Sequence, residues 1–119
     1  MSHTVNLAYV LSAHENLVRN KHCLAGIKDE NLLYSAIEGQ YWYEPGADQI
    51  IHVSYSICAN HVFLDGNKRT SFLTLKLLET DLGYICDWMS IAYTILDLAA
   101  NSISKENFYN RILSAILIQ

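Results

Sequence analysis

Residues 61–70 read HVFLDGNKRT. Upstream, Ile50, Ile51, Ser54, Ile57, Cys58 and His61 recur on one side of a helix that starts near Asp48. Downstream, Phe72, Leu73, Leu75, Leu77, Leu78 and Leu82 extend a second helix from about Asn67 until Gly83 ends it. Leu64-Asp65-Gly66 breaks the pattern between them, so the decapeptide is the loop of a helix–loop–helix. The second helix is apolar nearly all round, which predicts a central position.

Working outward, Leu7, Ala8, Leu11 and Val18 share a face from Val5 to about Asn20, with Ser2 or Thr4 as the N-cap. Asp29 reads as the N-cap of ENLLYSAIE, with Leu32, Leu33, Ala36 and Ile37 inward and Gly39 as the stop. Residues 40–47, QYWYEPGA, hold three aromatics and the breaker pair Pro45-Gly46, the mark of a loop or short hairpin. Tyr41, Trp42 and Tyr43 there either pack or form a contact surface. Two more helices, about Trp88 to Ala100 and Lys105 to Ile118, close the chain, the last capped by Ser104. The expectation is a single domain over residues 1–119, an all-α compact bundle of about six helices. At most a small β-hairpin element is expected, near Tyr41 to Tyr43.

Composition narrows the function. Apolar residues form 51 % of the 119 and charged ones 17 %, enough for a core and unlike a disordered tail. The net charge of −4 argues against a general polyanion binder, so no direct nucleic-acid partner is expected. From His61 to Lys76, however, Lys68, Arg69 and Lys76 oppose only Asp65, which suggests a focal anion site. Three cysteines without CxxC spacing read as thiols of the core or its edge in a reducing cytosol. The start of the chain lacks a signal-peptide pattern, and Asp97 interrupts the most apolar tract, IAYTILDLAA. A cytoplasmic protein without a membrane partner is expected.

The decapeptide breaks a local rule. A helix start leaves backbone N–H groups unpaired and carries positive dipole, so acids belong there. This helix places Lys68 and Arg69 there instead, at a cost of about 0.3–1 kcal/mol per charge. Rules broken without structural gain mark functional sites. A phosphate resolves the conflict, gripped by amides from Gly66 to Arg69 and by both cations. Asp65 beside it would repel phosphate unless Mg2+ stood between them. His61 could take a proton from an incoming hydroxyl, and Phe63 reads as a pin holding the loop to the core. Alone, each feature is commonly a plain turn or solvated face; together they point to a site. His3, His14, His22 and His52 read as structural or surface residues.

The same string resembles the Fic/Doc signature, HxFx[D/E][G/A]N[G/K]R, at every defining position. The Lys68-Arg69-Thr70 ending and the short chain are similar to the Doc (death-on-curing) toxin branch. LAGIKDENLLYSAI at 24–37 and Leu82-Gly83-Tyr84 resemble further family segments. The resemblance implies His61 as catalytic base and Asp65 as the metal ligand. It implies Gly66, Asn67, Lys68 and Arg69 as the phosphate-binding turn, Phe63 as the loop anchor, and Mg–ATP as cofactor. Residues 40–50 would be a flap for the target, and Tyr41, Trp42 and Tyr43 target or antitoxin contacts.

Two positions depart from the common pattern. Val62 stands where proline is frequent, and Lys68 stands where AMP-transferring members have glycine. A lysine there implies reversed nucleotide placement and γ-phosphoryl transfer to a hydroxyl of a translation elongation factor. That would be the work of a toxin restrained by a cognate antitoxin. The alternatives are AMP transfer at the same site, or a non-catalytic partner-binding protein of the same fold. SISKEN at 102–107 fits a short self-inhibitory pattern of some Fic proteins, but Ser104 already serves there as a cap.

Overall fold

The computed structural model describes residues 3–119. Helix α1 spans Leu7–Arg19, α2 Glu30–Glu38, α3 Ala47–Asn60 and α4 Asn67–Leu75. A one-turn α5 follows at Leu77–Thr80, then α6 at Trp88–Ala99 and α7 at Lys105–Ala115. The protein is an all-α bundle of six longer helices with one small two-stranded antiparallel sheet.

Capping follows elementary rules. Asp29, Asp87 and Ser104 cap α2, α6 and α7, their side chains accepting from Asn31, Ser90 and Asn107 N–H. Helix α1 is capped by Asn6, which accepts from Tyr9 N–H. Thr4 instead donates to Gln49 Oε1 and accepts from Gly46 N–H; Ser2 lies outside the described residues. The buried face of α1 is Val10, Ala13 and His14, whereas Ala8 is exposed. That face is set by what α1 packs on, namely α4 and the loop before it.

The central helix is α3, where Gln49 to Ser54 and Ser56 to Cys58 are buried. It packs on α2, α4, α6 and α7. The expectation had favoured the helix from Asn67. Its apolar run is real, but its first turn is exposed at Lys68 and Arg69, and the helix tightens at Lys76 to end α4. Lys76 N–H there is shared between Phe72 and Leu73 carbonyls. α3 and α4 approach closely because their facing residues are serines. Ser54 Oγ donates to Ser71 O and Ser71 Oγ to Ser54 O, at 3.0 and 2.8 Å.

The β element lies elsewhere than expected. Residues Gly39–Trp42 form a 3-10 turn, and strands β1 (Ile85–Cys86) and β2 (Ile116–Ile118) pair instead. Buried glutamines impose the turn. Gln40 accepts from Val5 N–H and donates to Val5 and Ile37 carbonyls, and Gln49 donates to Gln40 and Tyr43 carbonyls. Those bonds tie the turn to Val5 and to α3. The last helix accordingly stops at Ala115, not Ile118. Gly39 has a right-handed φ of −62°, so it is not a left-handed stop; a Cβ there would lie 2.5 Å from His52 Nε2.

Candidate active site

His61 ends α3 in the left-handed region, φ 51°, a conformation that costs a non-glycine residue about 1 kcal/mol. The reversal sends Val62 and Phe63 inward, where they are 0 % and 1 % exposed. The link between α1 and α2 receives them as a short antiparallel bridge. Lys28 N–H donates to Val62 O and Leu64 N–H to Gly26 O, both at 3.0 Å. The Phe63 ring is stacked on that of His14 at 3.8 Å between centroids and 7° between planes.

The Asn67 side chain closes the loop on itself. Its Oδ1 accepts Phe63 N–H and its Nδ2 donates to Phe63 O, each at 2.9 Å. Asp65 is exposed, and its carboxylate accepts Leu24 N–H at 2.8 Å and Gly66 N–H at 2.9 Å. Those two amides, Leu24 first, hold its pKa below the ordinary carboxylate value. Gly66 takes φ 81°, and a Cβ there would meet Cys23 Sγ at 2.7 Å. Glycine is required for both reasons.

Beyond Gly66 the helix opens without a side-chain cap. The N–H of Thr70 reaches Gly66 O, but those of Asn67, Lys68 and Arg69 have no acceptor in the described chain. Lys68 and Arg69 are exposed, and neither enters any ion pair among the described residues. Three free amides and two free cations on one helix start fit phosphate oxygens. Among the described residues, no three His, Cys, Asp or Glu side chains gather to hold a metal. Asp65 would therefore hold Mg2+ only together with nucleotide oxygens, and its exposed, deprotonated carboxylate suits that role.

Two hollows flank the turn. Lys68 and Arg69 line one of about 570 Å³ with Leu17, His22, Phe72 and Leu96. His61 lines another of about 540 Å³ with Tyr55, Asn60, Asn101, Ser104 and Lys105. The two cations thus line the first hollow and His61 the second. Lys105, on α7, was absent from the sequence reading of the site. Its ammonium lies 5.4–6.0 Å from the ring centroids of Tyr43, Tyr55 and Tyr109. It lowers the pKa of Tyr43, whose ring stacks on His52. Tyr43 therefore packs, while Tyr41 and Trp42 are exposed, Trp42 at 87 %.

His14 was also missed as a site neighbour, since an isolated histidine on a helix carries no local signal. It is 6 % exposed, and its Nε2 lies 2.9 Å from Asp65 O. Cys23, a thiol at the edge of the core, is half-buried beside His14 and Gly66. Burial, then the Asp65 charge, raises its pKa. Cys58 is a core thiol, pushed up to about 11 by burial. No helix among the described residues is long and apolar enough to cross a membrane.

No curated protein matches the chain. The family model described as Fic/DOC family matches residues 4–78, from the segment before α1 through the α3–α4 loop and α4. With more than half its length matched, including every residue of the turn just described, the chain belongs to the Fic/DOC family.

Proposed function

We propose that this chain is a Doc-type toxin that transfers the γ-phosphoryl group of ATP to a protein hydroxyl. The observation that carries the reading is the start of α4, where three amides lack acceptors beside the unpaired Lys68 and Arg69. Phosphoryl transfer asks for positioning and charge neutralisation more than covalent chemistry, and the turn offers both. Mg2+, when bound, would supply charge neutralisation between Asp65 and the nucleotide oxygens.

Within the chain, the amides of Asn67, Lys68 and Arg69 orient the phosphates, and the two side chains offset their charge. Lys68 occupies the space that a glycine would leave open, and its cation favours the terminal phosphate as the group transferred. His61 accepts the hydroxyl proton as the acceptor oxygen bonds to the γ-phosphorus. The bond from that phosphorus to the β–γ bridging oxygen breaks, and ADP leaves. The hollow beside His61 gives the acceptor its approach. The acceptor is a translation elongation factor in the cytoplasm, and a separately encoded antitoxin restrains the activity by contacts at the exposed Tyr41 and Trp42.

Incubation of the protein and elongation factor with α- or γ-labelled ATP tests this reading. Label from the γ position on the factor, with ADP released, is expected. Label from the α position alone would establish AMP transfer instead. Growth inhibition that survives both His61→Ala and Arg69→Ala would make the chain a non-catalytic binder.

A further inference from the structure

We propose that His14, from α1, is a positioning residue of the transfer site, acting through the Asp65–Gly66 peptide. The inference rests on the reading of residues 61–69 as that site. A peptide unit is planar, so the carbonyl of Asp65 and the N–H of Gly66 turn together. His14 Nε2 lies 2.9 Å from that carbonyl oxygen, which can only accept, so the proton resides on Nε2. Holding the carbonyl fixes the direction of Gly66 N–H. That N–H donates to Asp65 Oδ1 at 2.9 Å, while Leu24 N–H holds Oδ2. Each link is one hydrogen bond or one rigid plane, and the chain of links ends at the carboxylate.

The geometry is built from several sides. The His14 ring is stacked on Phe63 and cannot swing without opening the core. Cys23 Sγ lies 3.7 Å from the same Nε2 and crowds the position where Gly66 would carry a Cβ. His14, Cys23 and Leu24 thus form a fixed wall from α1 and the segment after it, against which the Asp65–Gly66 turn is cast. A histidine meets both demands, a flat face for Phe63 and a donor at its edge. Phenylalanine meets only the first, and glutamine restores a donor at similar reach.

The test compares the parent protein with His14→Phe and His14→Gln. The measurements are thermal unfolding, Gly66 amide exchange by NMR, Mg2+ titration with ATP present followed at the Asp65 and Gly66 resonances, and ATP turnover. For His14→Phe, Gly66 exchange should quicken and the Mg2+ half-saturation rise, each roughly tenfold or more. The KM for ATP should move less than kcat, and unfolding should stay cooperative. His14→Gln should recover most of both losses. Unchanged Gly66 exchange and Mg2+ half-saturation in His14→Phe would overturn the proposal. Equal damage in both variants, or failure of both to fold, would reduce His14 to a core residue and overturn it too. An inactive parent would sink the transfer reading alone, because the exchange comparison does not need turnover.

Discussion

The side chain of Asn67 brackets the backbone of Phe63, accepting its N–H and donating to its carbonyl at 2.9 Å each. One amide thereby satisfies the two polar groups that the loop cannot pair within a helix or sheet. Asn67→Ala leaves both unpaired in a half-buried setting, and a loss of about 1–3 kcal/mol is expected in urea unfolding. A variant as stable as the parent would show that the bracket does not hold the loop.

Lys68 and Arg69 should behave in the opposite sense. Their charges oppose the helix dipole and have no carboxylate partner among the described residues. Lys68→Ala and Arg69→Ala are each expected to leave stability unchanged or raise it by about 0.3–1 kcal/mol. The same changes should weaken ATP binding in calorimetry by tenfold or more, the effect of losing a charge-assisted contact. A drop in stability with binding intact would assign these residues to the scaffold.

Acid should weaken the fold through His52. Burial first, then the Lys105 charge, lowers its pKa from 6.5 to about 4. The unfolded chain therefore takes up this proton before the folded one. His52's contribution is full above pH 6.5, declines as pH falls towards 4, and is constant below that. His52→Phe keeps a ring against Tyr43 and should flatten the melting-temperature profile between those values. Lys105→Met should raise the pKa of His52, read by imidazole NMR titration. An unaltered profile in His52→Phe would place the acid sensitivity elsewhere.

Gly66→Ala should cost about 1 kcal/mol from the left-handed backbone, plus a clash with Cys23. Adding Cys23→Ala removes the sulfur 2.7 Å from the new methyl group but keeps a Cβ at 3.0 Å. The double variant should recover part of the loss and not all of it. Thermal melts of both single variants and the double one measure the coupling. Full additivity would mean that Cys23 does not restrict the turn.

Much of this was legible along the chain because the governing interactions span few residues. Asp29 and Ser104 cap their helices within three positions, and the periodicity of α2 reports its buried face directly. The misplaced cations at 68 and 69 stand out against a rule about one helix turn. Errors arose where the deciding partner was remote. Residues 39–42 became a 3-10 turn because Gln40 binds Val5, 35 residues away. The C-terminal residues became a strand because Ile85 was there to pair with. α4 yielded the centre to α3 because buried serines and Gln49, polar in a hydropathy reading, find hydrogen bonds inside.

By itself the sequence determined most of the helices, the caps at Asp29 and Ser104 and the break between α3 and α4, since each depends on spacing within one or two helical turns. Tertiary structure alone decided that His14 would meet Asp65 across 51 residues. It also decided that His61 and the Lys68–Arg69 pair would face separate hollows. Those relations depend on how helices cross, and crossing is set by the shapes of faces that no local pattern specifies.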